Sequence, residues 1–210
     1  MVNKPARLLF LGDSVTDCDR DRSIRQPNRP EALGTGWVHR VATEWLSMSP
    51  ASRIWNRGYS GCEINELLDQ EGWQPVKQGG YDTITVMIGI NDIWHPFEGG
   101  QSHDIATNLK DFNALAERLM PLTRQLVLVE PFAIAGTAVT EAWWPLLTEL
   151  QAGQKALAEQ HKAVWMPVQA DFEADSAAHP MLWAYDGVHP GVLGHQWLAR
   201  RWLALMGQVD

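Results

Sequence analysis

Short runs of aliphatic residues alternate along this 210-residue chain with longer segments in which apolar residues recur at helical spacing. Five of the short runs are predicted to be buried strands. They cover residues 7–12, 52–56, 83–88, 125–129 and 163–167. Because the connecting segments are long enough to cross a sheet, the strands are expected to be parallel, with helices on both faces. The alternation therefore predicts an α/β fold, a doubly wound domain with about five parallel strands.

The segments between the strands are predicted to be helices or loops. Helices are expected at residues 37–46, 64–68, 105–121, 141–160 and 192–206, where apolar residues share one face. Residues 17–36 and 89–100 are expected to be loops. A long loop in a compact domain is often functional. The first one, which carries four arginines, is expected to cover part of a site, to contact another subunit, or to be an ordinary solvated surface loop.

Composition and charge exclude several classes of function. The formal net charge of −8 comes without an offsetting basic patch, which argues against nucleic-acid binding. The apolar run before Gly12 is too short for a signal peptide, and no run approaches the length of a membrane span. Cys18 and Cys62 lack the spacing of a metal site or a disulfide framework, so reduced thiols are expected. We expect a single cytoplasmic domain over residues 1–210, without membrane contact.

Polar residues follow several of the predicted strands. They form four segments: Gly12-Asp13-Ser14, residues 56–61, Gly89-Ile90-Asn91-Asp92 and residues 186–190. Each segment alone has an ordinary explanation, namely a helix cap, a side-chain turn, or a turn with a surface histidine. Since ligands of such folds sit at the carboxyl ends of the strands, the segments are expected to converge on one site.

Together the four segments supply the groups that acyl transfer needs. Ser14 offers a hydroxyl, and His189 is a base that could remove its proton. Asp186, three residues earlier, could hold the other ring nitrogen. The backbone N–H groups of Ser14 and Gly61 and the side-chain amide of Asn91 are candidate donors to an oxyanion. A Gly-x-Ser-x-Gly elbow is absent, because the residues around Ser14 read GDSVT.

These segments, in this order, resemble the four sequence blocks of the SGNH or GDSL-type hydrolases. The resemblance implies a flavodoxin-like three-layer α/β/α sandwich, with Ser14 as nucleophile, His189 as general base and acid, and Asp186 as its orienter. It also implies an oxyanion hole built from Ser14, Gly61 and Asn91, and no metal or other cofactor. Asp13, Asn56 and Asp92 match positions that shape the loops.

A narrower resemblance concerns residues 12–18, 33–37 and 88–94. They look like the intracellular acetylxylan-esterase branch, which implies removal of acetyl groups from decorated xylo-oligosaccharides. Trp94 and Tyr185 flank the motifs and are expected either to contact the substrate or to pack against the last helix. The chain departs from this branch at His95-Pro96 and at residues 137–144, where substrate or subunit contacts could differ.

Other interpretations remain. Asp13 as a phosphoryl acceptor would need a second aspartate at the position of Val15, the histidines are too scattered for a metal hydrolase, and no dinucleotide or phosphate loop is present. A thioesterase or lysophospholipase for longer acyl chains is the alternative enzyme, and an inactive carbohydrate-binding domain is the alternative without activity. The expected partner is a small-molecule or oligosaccharide ester, and a homo-oligomer is compatible with the sequence.

Overall fold

A single parallel sheet organises the molecule. The structure, a computed structural model, describes residues 4–69, 80–99 and 104–209. Within these residues the sheet has five strands in the order β2-β1-β3-β4-β5, all pairs parallel. Their bounds are β1 Arg7–Gly12, β2 Arg53–Gly58, β3 Tyr81–Met87, β4 Thr123–Val129 and β5 Val164–Met166. The prediction of about five parallel strands is confirmed, in the flavodoxin-like order.

Helices cover both faces of this sheet. They are α1 Ser14–Asp17, α2 Pro30–Leu33, α3 Trp37–Met48, α4 Ile90–Gly99, α5 Ile105–Leu119, α6 Trp143–Gln160, α7 Gln169–Ser176, α8 Pro180–Trp183 and α9 Val192–Val209, with 3-10 turns at Ile64–Asp69 and Met120–Leu122. Buried residues of α3, α7 and α9 share one apolar cluster, and those of α4, α5 and α6 share another. The two clusters give the predicted α/β/α layers.

Strand β1 lies inside the sheet and contributes to both apolar clusters. Leu9 and Leu11 pack with the cluster that contains α5 and α6, whereas Leu8 and Phe10 pack with the one that contains α3 and α9. Phe10 contacts two indole rings on that face, Trp37 and Trp202, each 5.1 Å away between ring centroids. A strand covered on both faces must be apolar at nearly every position, which explains the apolar run at residues 8–11.

The order of the strands creates a crevice. The chain leaves β1 for β2 on one side, and then crosses back so that β3 pairs with the opposite edge of β1. The segments that follow β1 and β3 therefore diverge at the carboxyl ends of these strands. A crevice at such a switch point is where ligands of doubly wound sheets bind.

Residues 89–100 were expected to form a loop, and this expectation is wrong for residues 90–99. Residues Ile90–Gly99 form helix α4, while Gly100 lies outside the described residues. Glycines at both ends and Pro96 are signals of irregular structure, and Pro96 does lack the N–H that would bond one turn back. The helix forms because burial of Ile90 and Ile93 holds its first turn against the core.

The secondary structure differs from the expectation in three other places. Asn56, Arg57 and Gly58 belong to β2 rather than to the loop after it. Helix α2 interrupts residues 17–36, and this segment is more than a solvated surface loop, because Asp17 and Arg20 are buried. Helices α7 and α8 were not expected, because they are short and show little helical periodicity.

Candidate active site

Strand β1 ends in a turn that presents Ser14. Gly12 has φ +153°, and a Cβ there would lie 2.2 Å from the carbonyl oxygen of Met87, so the turn requires glycine. Asp13 then caps α1, because its carboxylate accepts a hydrogen bond of 3.0 Å from the N–H of Val15. The hydroxyl of Ser14 is therefore held at the carboxyl end of β1, beside β3.

Ser14, His189 and Asp186 form one chain of hydrogen bonds. The Oγ of Ser14 lies 2.8 Å from Nε2 of His189, and Nδ1 of His189 lies 2.6 Å from Oδ2 of Asp186. The other carboxylate oxygen of Asp186 accepts bonds from the N–H groups of Val188 at 2.9 Å and His189 at 2.7 Å. The structure brings together a serine and a histidine that are 175 positions apart in the sequence.

The electrostatics of this chain fix the tautomer of the histidine. Partial burial tends to raise the pKa of Asp186, but hydrogen bonds from the His189 ring and from two N–H groups outweigh it and lower the pKa to about 2. The ionised carboxylate accepts the Nδ1–H of His189, which leaves Nε2 to accept the proton of Ser14. The same bond to Asp186 raises the pKa of His189, against the opposing effect of burial.

Gly61 and Asn91, the two predicted oxyanion donors outside Ser14, are brought close by a shared neighbour. Gly61 follows β2 with φ +81°, and Asn91 lies in the first turn of α4. The side-chain amide of Asn91 is buried and donates a 2.9 Å bond to the carbonyl oxygen of Cys62, the residue after Gly61. This bond uses one of the two N–H groups of the amide.

Two carboxyls, Asp13 and Asp92, are buried and directly adjoin Ser14 and Asn91 in the sequence. Burial raises the pKa of Asp13 to about 7, although a bond from the N–H of Val15 opposes the shift. Burial also raises the pKa of Asp92 to about 8, although its carboxylate accepts a 3.1 Å bond from the N–H of Ile64. Both carboxyls hold backbone in place, which is the loop-shaping position that the resemblance implied.

Asn56 links the segments around the site. Its side-chain amide donates bonds of 2.6 Å to the carbonyl oxygen of Thr16 and 2.9 Å to that of Leu33. Its side-chain oxygen accepts a 2.9 Å bond from the N–H of Gly58. Asn56 is buried and thus joins α1, α2 and β2 rather than facing a ligand.

The two aromatic residues predicted to contact substrate occupy different surroundings. The ring of Trp94 lies 5.5 Å from that of His189 and 5.6 Å from that of Trp143, and its Nε1–H donates a bond of 2.8 Å to Glu98. Tyr185 is 65% exposed. Most of the Tyr185 side chain is thus open to solvent, whereas Trp94 packs against Trp143 at the start of α6. A role in substrate binding stays a prediction for both.

A cavity of about 690 Å³ opens beside Ser14 and His189. Its other lining residues are Val15, Asp17, Cys18, Asp19, Arg20, Arg22, Ser60, Pro190 and His195. Most of them come from the arginine-bearing segment 17–36, which was expected to cover the site as one of three possibilities. That segment is held by an ion pair between Arg22 and the buried Asp17, and by stacking of Arg20 on Tyr59 with 4.8 Å to the ring centroid.

Sequence reasoning missed His195 as part of the cavity wall. Its Nδ1 accepts a 3.2 Å bond from the N–H of Trp37, and its Nε2 lies 3.4 Å from the sulfur of Cys18. Burial, with smaller contributions from Arg40 and His189, lowers the pKa of His195 to about 4. Its position four residues into α9 is typical of a core residue, and only its contact with the separate segment that carries Cys18 reveals the link to the site.

The described residues contain no group of three or more histidine, cysteine, aspartate and glutamate side chains placed to hold a metal ion. Neither Cys18 nor Cys62 forms a disulfide. In the same part of the chain, no helix is long and apolar enough to cross a membrane.

The chain is similar to known proteins over almost its whole length. The GDSL-like lipase/acylhydrolase family matches residues 10–197. An acetylxylan esterase from Geobacillus stearothermophilus is 31% identical over 213 residues, which cover 98% of this chain and 96% of that protein.

Solved structures agree with these matches. A protein from Parabacteroides merdae, described as a GDSL-like lipase, superposes with a TM-score of 0.88 at 34% identity, covering 99% of this chain and 98% of that one. The crystal structure of the Geobacillus stearothermophilus acetylxylan esterase superposes with a TM-score of 0.83 at 29% identity, covering 97% and 94%.

Proposed function

The chain belongs to the GDSL-like lipase/acylhydrolase family and is a carboxylic ester hydrolase, and we propose that it is a serine esterase that removes acetyl groups from decorated xylo-oligosaccharides. The observation that carries the proposal is the continuous chain of hydrogen bonds from Ser14 through His189 to Asp186. A hydroxyl, a base and a carboxylate in this order are the parts of a serine nucleophile.

In the proposed mechanism, Ser14 attacks the carbonyl carbon of the ester while Nε2 of His189 takes its proton. The tetrahedral intermediate collapses to an acyl-enzyme on Ser14 as His189 gives the proton to the departing sugar oxygen, which leaves as a hydroxyl. Water then attacks the acyl-enzyme while His189 takes a proton from it, and His189 returns this proton to the Oγ of Ser14 as acetate leaves. Asp186 remains ionised throughout and stabilises the imidazolium that forms at each proton transfer.

The negative oxygen of each tetrahedral intermediate needs donors that are already in place. We assign this role to the backbone N–H groups of Ser14 and Gly61 and to the side-chain amide of Asn91. Loss of one such donor costs roughly 3 kcal/mol of transition-state stabilisation. The bond from Asn91 to Cys62 supports the assignment, because it joins the element that carries Asn91 to the segment that carries Gly61.

The acetylated-sugar substrate is supported by the relative and by the cavity. The acetylxylan esterase matches this chain almost from end to end. Solved structures of that esterase include variants described as catalytic mutants, in which an aspartate and a histidine with the spacing of Asp186 and His189 are replaced. The cavity beside Ser14 carries charged side chains, including Asp19 and Arg22, which suit hydrogen bonding to a sugar better than burial of a fatty acyl chain.

A second candidate function is hydrolysis of longer acyl esters. Large apolar side chains are exposed on both sides of the segment 186–190, and an exposed apolar patch can bind an acyl chain. They are Met181, Leu182, Tyr185, Val192 and Leu193.

A series of 4-nitrophenyl esters with two to about twelve acyl carbons distinguishes the two candidates. We expect kcat/KM to be highest for acetate and to fall steeply with chain length, because the cavity is polar beside the nucleophile. Leu182→Ser is the matched variant, since Leu182 is 62% exposed and lies outside the cavity. It should leave the acetate rate unchanged. If kcat/KM of the wild type is instead highest at eight carbons or more, and this preference is lost in Leu182→Ser, the longer-chain function is the correct one.

A further inference from the structure

Gly61, whose backbone N–H is a proposed oxyanion donor, has no side chain to hold it in place. Gly61 is exposed, and a Cβ built on it would meet no atom within 4 Å. A donor on such a residue keeps its direction only through the contacts of its neighbours. Because an oxyanion donor must lie within about 0.2 Å of an ideal 2.9 Å distance, those contacts bear on catalysis.

On the amino side of Gly61, the chain is tied to the elements that carry Ser14. The N–H of Tyr59 donates a 2.8 Å bond to the carbonyl oxygen of Gly12, at the end of β1. The N–H of Ser60 donates a 3.0 Å bond to the carboxylate of Asp17, at the end of α1. These bonds fix where the segment leaves the sheet.

On the carboxyl side of Gly61, the chain is tied to the first turn of α4. The carbonyl oxygen of Cys62 accepts the bond from Asn91, and the N–H of Ile64 donates to Asp92. Both bonds run from the backbone of the segment to side chains of α4. The segment is thus attached to α4 at two points, one on either side of Glu63.

The residue between these two points makes a third contact with the same helix. The carboxylate of Glu63 lies 2.8 Å from Nδ1 of His95, which is one turn after Asn91 on α4. Both side chains are partly buried, with exposed fractions of 31% for Glu63 and 39% for His95. Neither belongs to the hydrogen-bonded chain of Ser14, and neither lines the cavity.

Resting on the proposed function, we propose that Glu63 and His95 are positioning residues for the oxyanion hole. Their contact adds a third attachment between residues 62–64 and α4, and so limits displacement of the N–H of Gly61 relative to the amide of Asn91. Because these two donors come from different elements, an additional attachment between the elements helps to keep both aimed at one oxygen. A displacement of about 1 Å in a reacting group can cost a hundredfold in rate.

The test measures kcat and KM for 4-nitrophenyl acetate in His95→Ala, Glu63→Ala and the double variant. We expect each single change to lower kcat roughly three- to tenfold with little change in KM, since the oxyanion exists only after substrate binding. The double variant should lose no more than either single variant, because both remove the same contact. His95→Asn should restore most of kcat, since its amide N–H lies where Nδ1–H lies in histidine.

The matched control is His161→Ala. His161 also bonds a neighbouring side chain, with 2.7 Å between its Nε2 and the Oδ1 of Asn113, but it lies just before β5 at the opposite edge of the sheet. This variant should keep the wild-type kcat. Melting temperatures of all variants identify any that fail to fold; if His95→Ala is one of them, Glu63→Ala and His95→Asn decide the outcome.

Asn91→Ala separates failure of this inference from failure of the proposed function. A loss of roughly 10²-fold or more in Asn91→Ala, with wild-type kcat in folded His95→Ala and Glu63→Ala, would overturn the positioning role alone. Additive losses in the double variant, or losses confined to KM, would overturn it as well. Wild-type activity in both Asn91→Ala and Ser14→Ala would instead remove the proposed function, and this inference with it.

Discussion

The short contact with Asp186 is the main cause of the raised pKa of His189. The bond of 2.6 Å to Asp186 favours the imidazolium, and it outweighs the burial that favours neutral imidazole. At high pH the neutral ring accepts the proton of Ser14. As pH falls through the raised pKa, Nε2 becomes protonated and Ser14 loses its base.

Replacement of Asp186 by asparagine should change both the rate and its pH dependence. For the wild type, kcat/KM should fall as pH decreases through a pKa above 6.5, the ordinary value for histidine. Asp186→Asn removes the largest cause of that raised pKa, so the inflection should move to lower pH, and kcat should fall by roughly 10²- to 10⁴-fold. A pH–rate profile with 4-nitrophenyl acetate checks this. An unchanged inflection would show that His189 is not the titrating base.

At the residue scale, the three groups of the candidate triad could be predicted from the sequence. Asp186 and His189 are near neighbours in the chain, so their contact is local, and the resemblance supplies Ser14. The cavity wall could not be predicted in the same way. Cys18 and His195 meet only because residues 17–36 fold back across the start of α9, and no local pattern records that path.

At the scale of elements, α4 and the 3-10 turn Ile64–Asp69 are joined by a buried carboxyl. Burial raises the pKa of Asp92 to about 8, compared with an ordinary value of 3.8. The folded state therefore keeps a proton that the unfolded state releases. The resulting contribution to stability is complete below pH 3.8 and is lost as pH rises through about 8.

The variant Asp92→Asn should therefore gain stability relative to the wild type as pH rises. Asparagine can still accept the bond from the N–H of Ile64 but never ionises. The free energy of unfolding of the variant, relative to the wild type, should increase by at least about 1 kcal/mol between pH 5 and pH 9. Urea unfolding at both pH values measures it.

The control for that experiment is Asp21→Asn. Asp21 is exposed, and hydrogen bonds from Ser23 lower its pKa. This variant should gain no stability over the same pH range. If the free energies of unfolding of Asp92→Asn and the wild type differ by the same amount at pH 5 and pH 9, Asp92 is not protonated in the folded state.

Helix α4 also shows where propensity misleads. Gly89 and Pro96 are signals of a loop, and they dominate a reading of the local sequence. The helix forms because tertiary burial of Ile90 and Ile93 outweighs the loss of one backbone bond at Pro96. The prediction therefore placed Asn91 at the correct edge of the sheet, but in a loop rather than in a helix.

At the scale of the whole molecule, the alternation of elements was enough to predict the fold class. Strand and helix patterns predicted parallel strands and a site at their carboxyl ends, and both the fold class and the family are confirmed. Local patterns do not state which strands are neighbours. That order, with β1 between β2 and β3, depends on how the two apolar faces of the sheet are covered.

We propose that the chain is one domain, because the apolar clusters on the two faces share the same five strands. Thermal unfolding should then give one transition in calorimetry, at the same temperature as the loss of circular dichroism from helices. Two separated transitions would contradict a single domain.

The most direct test of the account is mass spectrometry of acetylated xylo-oligosaccharides incubated with the wild type and with Ser14→Ala. The account predicts stepwise loss of acetyl groups with the wild type. It predicts no loss above background with Ser14→Ala, although that variant should keep the wild-type circular dichroism and melting temperature. Deacetylation by Ser14→Ala at the wild-type rate would contradict the mechanism. Oligosaccharides left intact by a wild type that hydrolyses 4-nitrophenyl acetate would contradict the substrate.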